Sequence, residues 1–248
     1  MKHVKIDERR NVLIAKTDEE AYDFCVQTFI EEAKKSIAAR ATFSVALSGG
    51  QTPLPLYEKL AEPSSALLVN WPLVEIFWSD ERAVPPSDPE SNYGAALQFF
   101  NIPPLDQAKK HRLVGDCDDL HKSATNYEKL VKATCADGKF DLVLLGVGND
   151  GHTASLFPRT ASLKEDKKLF VANNIPEKNC WRMTITYPAI DQARAAYVIV
   201  IGKGKAKILK QIFFGEYNPV ELPAQKLGTK ENPVTFIVDR KAIFGLGL

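Results

Sequence analysis

The chain has 248 residues, of which 45% are hydrophobic and 25% charged. This is the ordinary globular mix, and a chain this long buries a sizeable core without staples. Thirty-two Lys and Arg face 31 Asp and Glu, a net charge of +1, which excludes the strong basic excess of a general nucleic-acid binder but leaves room for a local anion site. No apolar run approaches the roughly 20 residues of a membrane helix. The stretch Met1 to Arg10 carries neither a signal-peptide core nor an acid-poor transit segment, so a cytoplasmic protein is expected. The four cysteines, Cys25, Cys117, Cys135 and Cys180, form no CxxC pair, which points to reduced thiols and away from a zinc knuckle.

Apolar runs alternate with amphipathic stretches, the pattern of βα units around a mostly parallel sheet. Thr17-Asp18-Glu19-Glu20 reads as a capping box. After it, Tyr22, Cys25, Val26, Phe29, Ile30, Ala33 and Ile37 recur at helical spacing. Phe43–Leu47, Val74–Trp78, Phe140–Leu145, Arg182–Thr186, Ala196–Ile201 and Val234–Val238 read as strands. Leu120, Ala124, Tyr127, Leu130, Val131 and Thr134 mark a helix face, and Lys205–Phe214 a further helix. Pro85, Pro86 and Pro89 lie in a polar loop, and Asn173–Asn179 reads as another. No linker divides the chain. The expectation is one α/β domain over residues 1–248, Rossmann-like, with helices on both faces of the sheet.

Loops at the carboxyl ends of parallel strands form the ligand crevice of such folds, and three of them are unusual here. Ser48-Gly49-Gly50-Gln51-Thr52-Pro53 follows a strand directly. Its glycines permit close backbone approach, Thr52 is a good N-cap, and Pro53 suits a first helical turn. Strand, glycine loop and helix start make a phosphate cradle, although a plain capped turn has the same sequence. Ser79-Asp80-Glu81-Arg82 follows the next strand. Arg82 offers a planar fork for phosphate or carboxylate, and Asp80 can orient it or bind a sugar hydroxyl. A solvated charge cluster is the alternative.

The third loop runs from Gly146 to Pro158. Gly146, Gly148 and Gly151 fit G-x-G-x-x-G, but Pro158 limits the helix that should follow, and no acid closes a strand in 167–173. Nicotinamide and flavin binding are therefore disfavoured. His152 stands out among these glycines, since imidazole exchanges protons near neutral pH. Asp150 is placed to fix its tautomer or line the pocket. The remaining histidines show no metal-ligand spacing, so neither a metal nor an obligate cofactor is expected. Arg182 and Lys205 are candidates to complete an anion site.

Together these loops resemble the 6-phosphogluconolactonases of the sugar-phosphate isomerase/lactonase superfamily. Ser48-Gly49-Gly50-x-Thr52-Pro53, Asp80-Glu81-Arg82-x-Val84-Pro85, Ser91-Asn92-Tyr93 and the run from Gly148 to Pro158 carry the likeness. Arg182-x-Thr184-x-Thr186 and Gly202-x-x-Lys205 extend it toward the C-terminus. The related glucosamine-6-phosphate isomerases usually have Asp-Glu-Tyr in place of Asp80-Glu81-Arg82, and Phe-Asn-Glu-Pro after the histidine loop. Moving protons between carbons needs more acid/base groups than activating one water, so Arg82 and the missing Glu favour a hydrolase.

The resemblance implies hydrolysis of 6-phospho-D-glucono-1,5-lactone with His152 as general base and Asp150 as the second catalytic residue. It further implies that Ser48, Gly49, Gly50, Thr52, Asp80, Arg82, Gly148, Arg182 and Lys205 bind substrate. The expected partner is a small sugar-phosphate lactone, with no nucleic acid and no membrane, and a monomer or weak homodimer. A sugar-phosphate isomerase and a sugar-phosphate sensor without turnover are the competing readings. The presence of His152 counts against the sensor.

Overall fold

The computed structural model describes residues 1–248. A hairpin opens the chain, with β1 (Lys2–Lys5) antiparallel to β2 (Arg10–Ala15). Helix α1 (Asp18–Arg40) follows. Thr17 caps it, its Oγ1 accepting from Glu20 N at 3.1 Å. The return arm of the box closes one residue early, as Glu20 Oε2 accepts from Lys16 N at 2.5 Å. Cys25, Val26, Phe29, Ile30 and Ala33 are buried on the core face, with Tyr22 and Ile37 half-buried at its flanks.

Strand β3 (Phe43–Leu47) leads through the glycine loop to α2 (Leu54–Ala61) and α3 (Pro63–Ala66). Then come β4 (Val74–Trp78), β5 (Asp80–Arg82), α4 (Asn92–Phe100), β6 (Lys109–Lys110) and α5 (Leu120–Thr134). The rest is β7 (Leu142–Leu145), β8 (Phe170–Ile175), β9 (Cys180–Ile185), α6 (Tyr187–Asp191), β10 (Ala196–Val200), α7 (Ala206–Phe214) and β11 (Val234–Asp239). No helix is long and apolar enough to cross a membrane.

Eight strands form one sheet in the order β1-β2-β11-β10-β7-β3-β4-β6, parallel except for β1. Strand pleating sorts its side chains. Val45, Leu47, Leu142 and Leu144 face a core shared with Phe29, Tyr57 and Phe100 of α1, α2 and α4. Ala46, Val143, Val198 and Phe236 face the opposite core, with Tyr127, Ile208 and Leu209 of α5 and α7. Helices therefore cover both faces, as the alternating pattern predicts. The chain runs outward from β3 to β4 and β6, then returns to β7 on the other side of β3. The switch point thus lies between β3 and β7, where ligands bind in open α/β sheets.

A second sheet of three antiparallel strands, β5-β9-β8, lies beside the first. It corrects two expectations. Asp80–Arg82 is a strand rather than a loop, paired Asp80↔Thr184 and Arg82↔Arg182. Asn173, Asn174 and Ile175 belong to β8, and only residues 176–179 turn. Both segments bury polar side chains against groups distant in sequence, Asp80 and Asn173 on Ser155 and Glu81 on the start of α4, which hides them from an apolar-run reading. Leu130 is also exposed, off the buried face of α5.

The amino end of the main sheet holds a buried charge centre. Asp141, at the start of β7, accepts from Arg40 Nη2 at 2.6 Å, Ser44 N at 2.8 Å and Ser44 Oγ at 3.0 Å. Arg194 Nε adds a contact at 3.2 Å. Asp141→Ala leaves these donors unpaired and is expected to cost about 3 kcal/mol of stability. A urea midpoint lowered at constant slope checks it. An unchanged midpoint refutes it.

Candidate active site

The glycine loop is anchored at both ends by phenols. Tyr57 donates to Ser48 O at 2.7 Å, and Tyr22 to Thr52 O at 2.8 Å. Between them, the backbone N–H groups of Gly49, Gly50, Gln51 and Thr52 donate to no protein acceptor. Four free donors at a helix entrance form a ready anion cradle. Thr52 does not cap the helix: Pro53 holds that position, with no side-chain cap. The Asn92 amide lies against Gly49, where an added Cβ would sit 2.0 Å from Asn92 Cγ. Only glycine fits there.

Pleating separates the charges of β5. Glu81 turns away from the cleft and accepts from Asn92 N and Tyr93 N at 2.8 Å and from Ser91 Oγ at 3.0 Å. A carboxylate thus seals the start of α4, where the helix dipole favours negative charge. Burial pushes the Glu81 carboxyl up, against the pull of those N–H groups. Asp80 is buried and accepts from Ser155 Oγ at 2.6 Å and from Asn92 Nδ2 at 3.3 Å.

Arg82 and Arg182 face each other across the β5–β9 pair. Like charges in that position repel. Neither arginine has a carboxylate partner. Arg82 Nη1 donates to Glu90 O, Arg182 lies 5.4 Å from the Phe157 ring centroid, and the Nε of each is buried without a partner.

The histidine loop completes the cleft. Gly148 N donates to His152 O at 2.9 Å and Gly151 N to Gly148 O at 3.1 Å, curling the chain back on itself. Asp150 Oδ1 meets His152 Nδ1 at 2.5 Å and His152 N at 3.1 Å. Burial opposes the charge of Asp150, but the hydrogen bond and charge of His152 outweigh it and hold the carboxyl at about 2. The imidazole stacks on Phe157, with centroids 4.1 Å apart and planes 21° from parallel.

Ser48, Gly49, Gly50, Thr52, Asp80, Arg82, Gly148, His152 and Arg182 all line one cleft of about 140 Å³ at the switch point. Two expected residues do not line it. Asp150 stands behind His152. Lys205, just before α7, turns its ammonium to Val147 O at 2.8 Å and Asn149 Oδ1 at 2.9 Å. Burial pushes the Lys205 ammonium down, partly offset by Asp150. Lys205 therefore braces the histidine loop in this structure. Gln51, Asn92, Gly146, Val147 and Ala154 line the cleft without having been singled out as binding residues. Their place beside the motif residues was the available signal.

The profile of the family described as "Glucosamine-6-phosphate isomerases/6-phosphogluconolactonase" matches residues 16–236. The chain belongs to that family. It is 33% identical over 243 residues to a Chlamydia pneumoniae protein named 6-phosphogluconolactonase, covering 95% of this chain and 90% of that one. Identity to the Haemophilus influenzae 6-phosphogluconolactonase is 36% over 200 residues, covering 80% and 85%. The 6-phosphogluconolactonase structure from Trypanosoma cruzi superposes with a TM-score of 0.81 at 28% identity over all of both chains. A monomeric glucosamine-6-phosphate deaminase shares the fold, with a TM-score of 0.76 at 21% identity, covering 93% of this chain and 98% of that one.

Gly148 tests the local geometry of the family's histidine loop. A Cβ there would lie 2.1 Å from His152 Nδ1 and Cε1. Gly148→Ala is expected to break the His152–Asp150 contact at a stability loss below about 3 kcal/mol. The imidazole proton resonances read the contact, and unaltered resonances would refute it.

Proposed function

We propose that this protein hydrolyses 6-phospho-D-glucono-1,5-lactone to 6-phosphogluconate, with His152 as the general base. The observation that carries this reading is that one cleft holds both His152, paired with Asp150, and two arginines without carboxylate partners. Membership of the family and the names of its relatives support the same substrate class.

Asp150 is ionised at all but strongly acid pH, so it accepts the Nδ1 proton and leaves the Nε2 lone pair as base. Nε2 takes a proton from water as the water oxygen bonds to C1. The carbonyl electrons move onto oxygen, and backbone N–H groups of a glycine loop stabilise that charge. The C1–ring-oxygen bond then breaks, and the ring oxygen takes the proton back from imidazolium. The phosphate dianion meets Arg82, Arg182 and the free N–H groups of residues 49–52, with Ser48 and Asp80 at the sugar. The step needs no metal or organic cofactor. We further place it in the cytoplasm, in a single domain over residues 1–248 that acts as a monomer or weak homodimer.

His152→Ala is expected to lower kcat by about 10²–10⁴-fold, measured as acid release from fresh lactone after subtracting spontaneous opening. Activity equal to the unmodified protein removes His152 from the mechanism. Because Asp150 is held at about 2, any activity lost well above that pH does not report protonation of this carboxylate. Arg82→Ala is expected to raise KM for the phosphorylated lactone about 10- to 100-fold. Gluconolactone lacking phosphate should be hardly affected by that change. Equal turnover of both lactones by the unmodified protein refutes phosphate recognition.

A further inference from the structure

Phe157 follows the histidine loop and is buried, at 3% exposure. It is absent from the residues that line the cleft. Three side chains that carry or acquire positive charge converge on its ring. His152 stacks on it at 4.1 Å and 21°, and Arg182 and the Lys178 ammonium each lie 5.4 Å from its centroid. An aromatic face is negative and attracts cations.

The backbone is shaped to put the ring there. Ala154 adopts a left-handed φ of 48°, uncommon without glycine, and reverses the chain two residues after His152. Leu156 N then donates to Thr153 O at 2.9 Å, closing the turn. Phe157 O is fixed by Thr160 Oγ1 at 2.7 Å and Thr160 N at 3.3 Å. The Phe157 backbone is thus fixed by Thr160, which does not line the cleft.

Resting on the hydrolase reading above, we propose that Phe157 is a positioning residue for the base. Its ring fixes the plane of the His152 imidazole and favours the imidazolium that forms when water is deprotonated. Asp150 locks His152 at Nδ1, which leaves rotation about that contact free. Stacking on Phe157 removes that freedom and aims Nε2 at one point in the cleft. The same ring carries Arg182, so the base and one of the anion-binding arginines are seated on one rigid platform.

Other charges act on the imidazole too. Asp150 favours the imidazolium directly. Arg182 and Lys178 disfavour it from the shared ring, and Lys205 disfavours it from beside Val147 O and Asn149, within the field of Asp150. In Phe157→Tyr, Arg182 and Lys178 keep the ring they sit on, and Asp150 and Lys205 are untouched, so the ring's effect is read by comparing the Leu and Tyr variants.

Phe157→Leu keeps an apolar side chain and removes the π face. Its kcat is expected to fall about 2- to 30-fold, the range of a cation–π contact. That fall should exceed any rise in KM, and the acid limb of the kcat profile should move to lower pH. A merely structural role would loosen the cleft, raise KM at least as much and leave the acid limb in place; that result overturns the proposal. Phe157→Tyr, which retains the ring face, should recover most of kcat and the original limb. A Tyr variant no better than Leu counts against the proposal.

Proton NMR of the unmodified protein gives a second, independent reading. The His152 Cε1 proton, identified by its loss in His152→Ala, should resonate upfield from ring-current shielding. An ordinary position overturns the stacking even where Phe157→Leu fails to fold. If the unmodified protein opens no lactone, the hydrolase reading fails, while the resonance still reports whether the ring holds the imidazole.

Discussion

One residue ties the two sheets together at the cleft. Ser155 uses all three of its polar groups, one on each strand of the small sheet. Its Oγ donates to Asp80 on β5 at 2.6 Å, its N–H to Thr184 on β9 at 3.0 Å, and its carbonyl accepts from Asn173 on β8 at 2.9 Å. All four residues are buried. A buried carboxylate, amide or hydroxyl without a partner costs about 1–3 kcal/mol, so the three bonds hold or fail together. This junction fixes the distance between the histidine loop of the large sheet and the arginines of the small one.

The same junction explains how two arginines remain without carboxylates beside two acids. On a mobile loop, Asp80, Glu81 and Arg82 would neutralise one another. As a strand, successive side chains point to opposite faces. Glu81 is sent to the start of α4, where Ser91, Asn92 and Tyr93 hold it. Asp80 shares a face with Arg82, but Ser155 and Asn92 occupy its oxygens. Arg82 is left facing Arg182 with only the Glu90 carbonyl as acceptor. On the proposed reading, an anion entering between them relieves the repulsion between the guanidinium groups, and fold stability is given up locally to keep the site charged.

The large parallel sheet was legible because its strands are apolar on both faces and short loops with special chemistry follow them. Phe43–Leu47, Val74–Trp78 and Leu142–Leu145 are buried throughout, and the loops after them carry the glycines and His152. The small sheet was only partly legible: Arg182–Thr186 read as a strand and overlaps β9, but β5 pairs with it across about a hundred residues of sequence and has only three residues, all charged. Charge signals exposure to a local reading, whereas Asp80 and Glu81 are buried through partners distant in sequence. Lys205 shows a related limit. Its position before α7 was readable, but the direction of its ammonium depends on Val147 O and Asn149, which fold brings near. Phe157 reads as core filling on burial alone, and only the stacked His152 marks it as more.

The scaffold separates tasks in a way that lets chemistry change without rebuilding the fold. The cradle at residues 49–52 and the Asp150–His152 couple sit on loops of the large sheet. Arg82 and Arg182 sit on the small one. A deaminase that shares this fold at 21% identity illustrates that the fold alone does not select a reaction. Selection falls to what faces the couple. With an arginine at position 82, the wall opposite His152 offers positive charge and no proton-accepting group. The acids nearest to it are already engaged, Glu81 by α4 and Asp80 by Ser155 and Asn92. On the proposed mechanism, one base beside fixed positive charge activates one water against an anionic substrate. Carrying a proton from carbon to carbon would need a second free base, and every carboxylate of β5 is spent on holding the walls of the cleft.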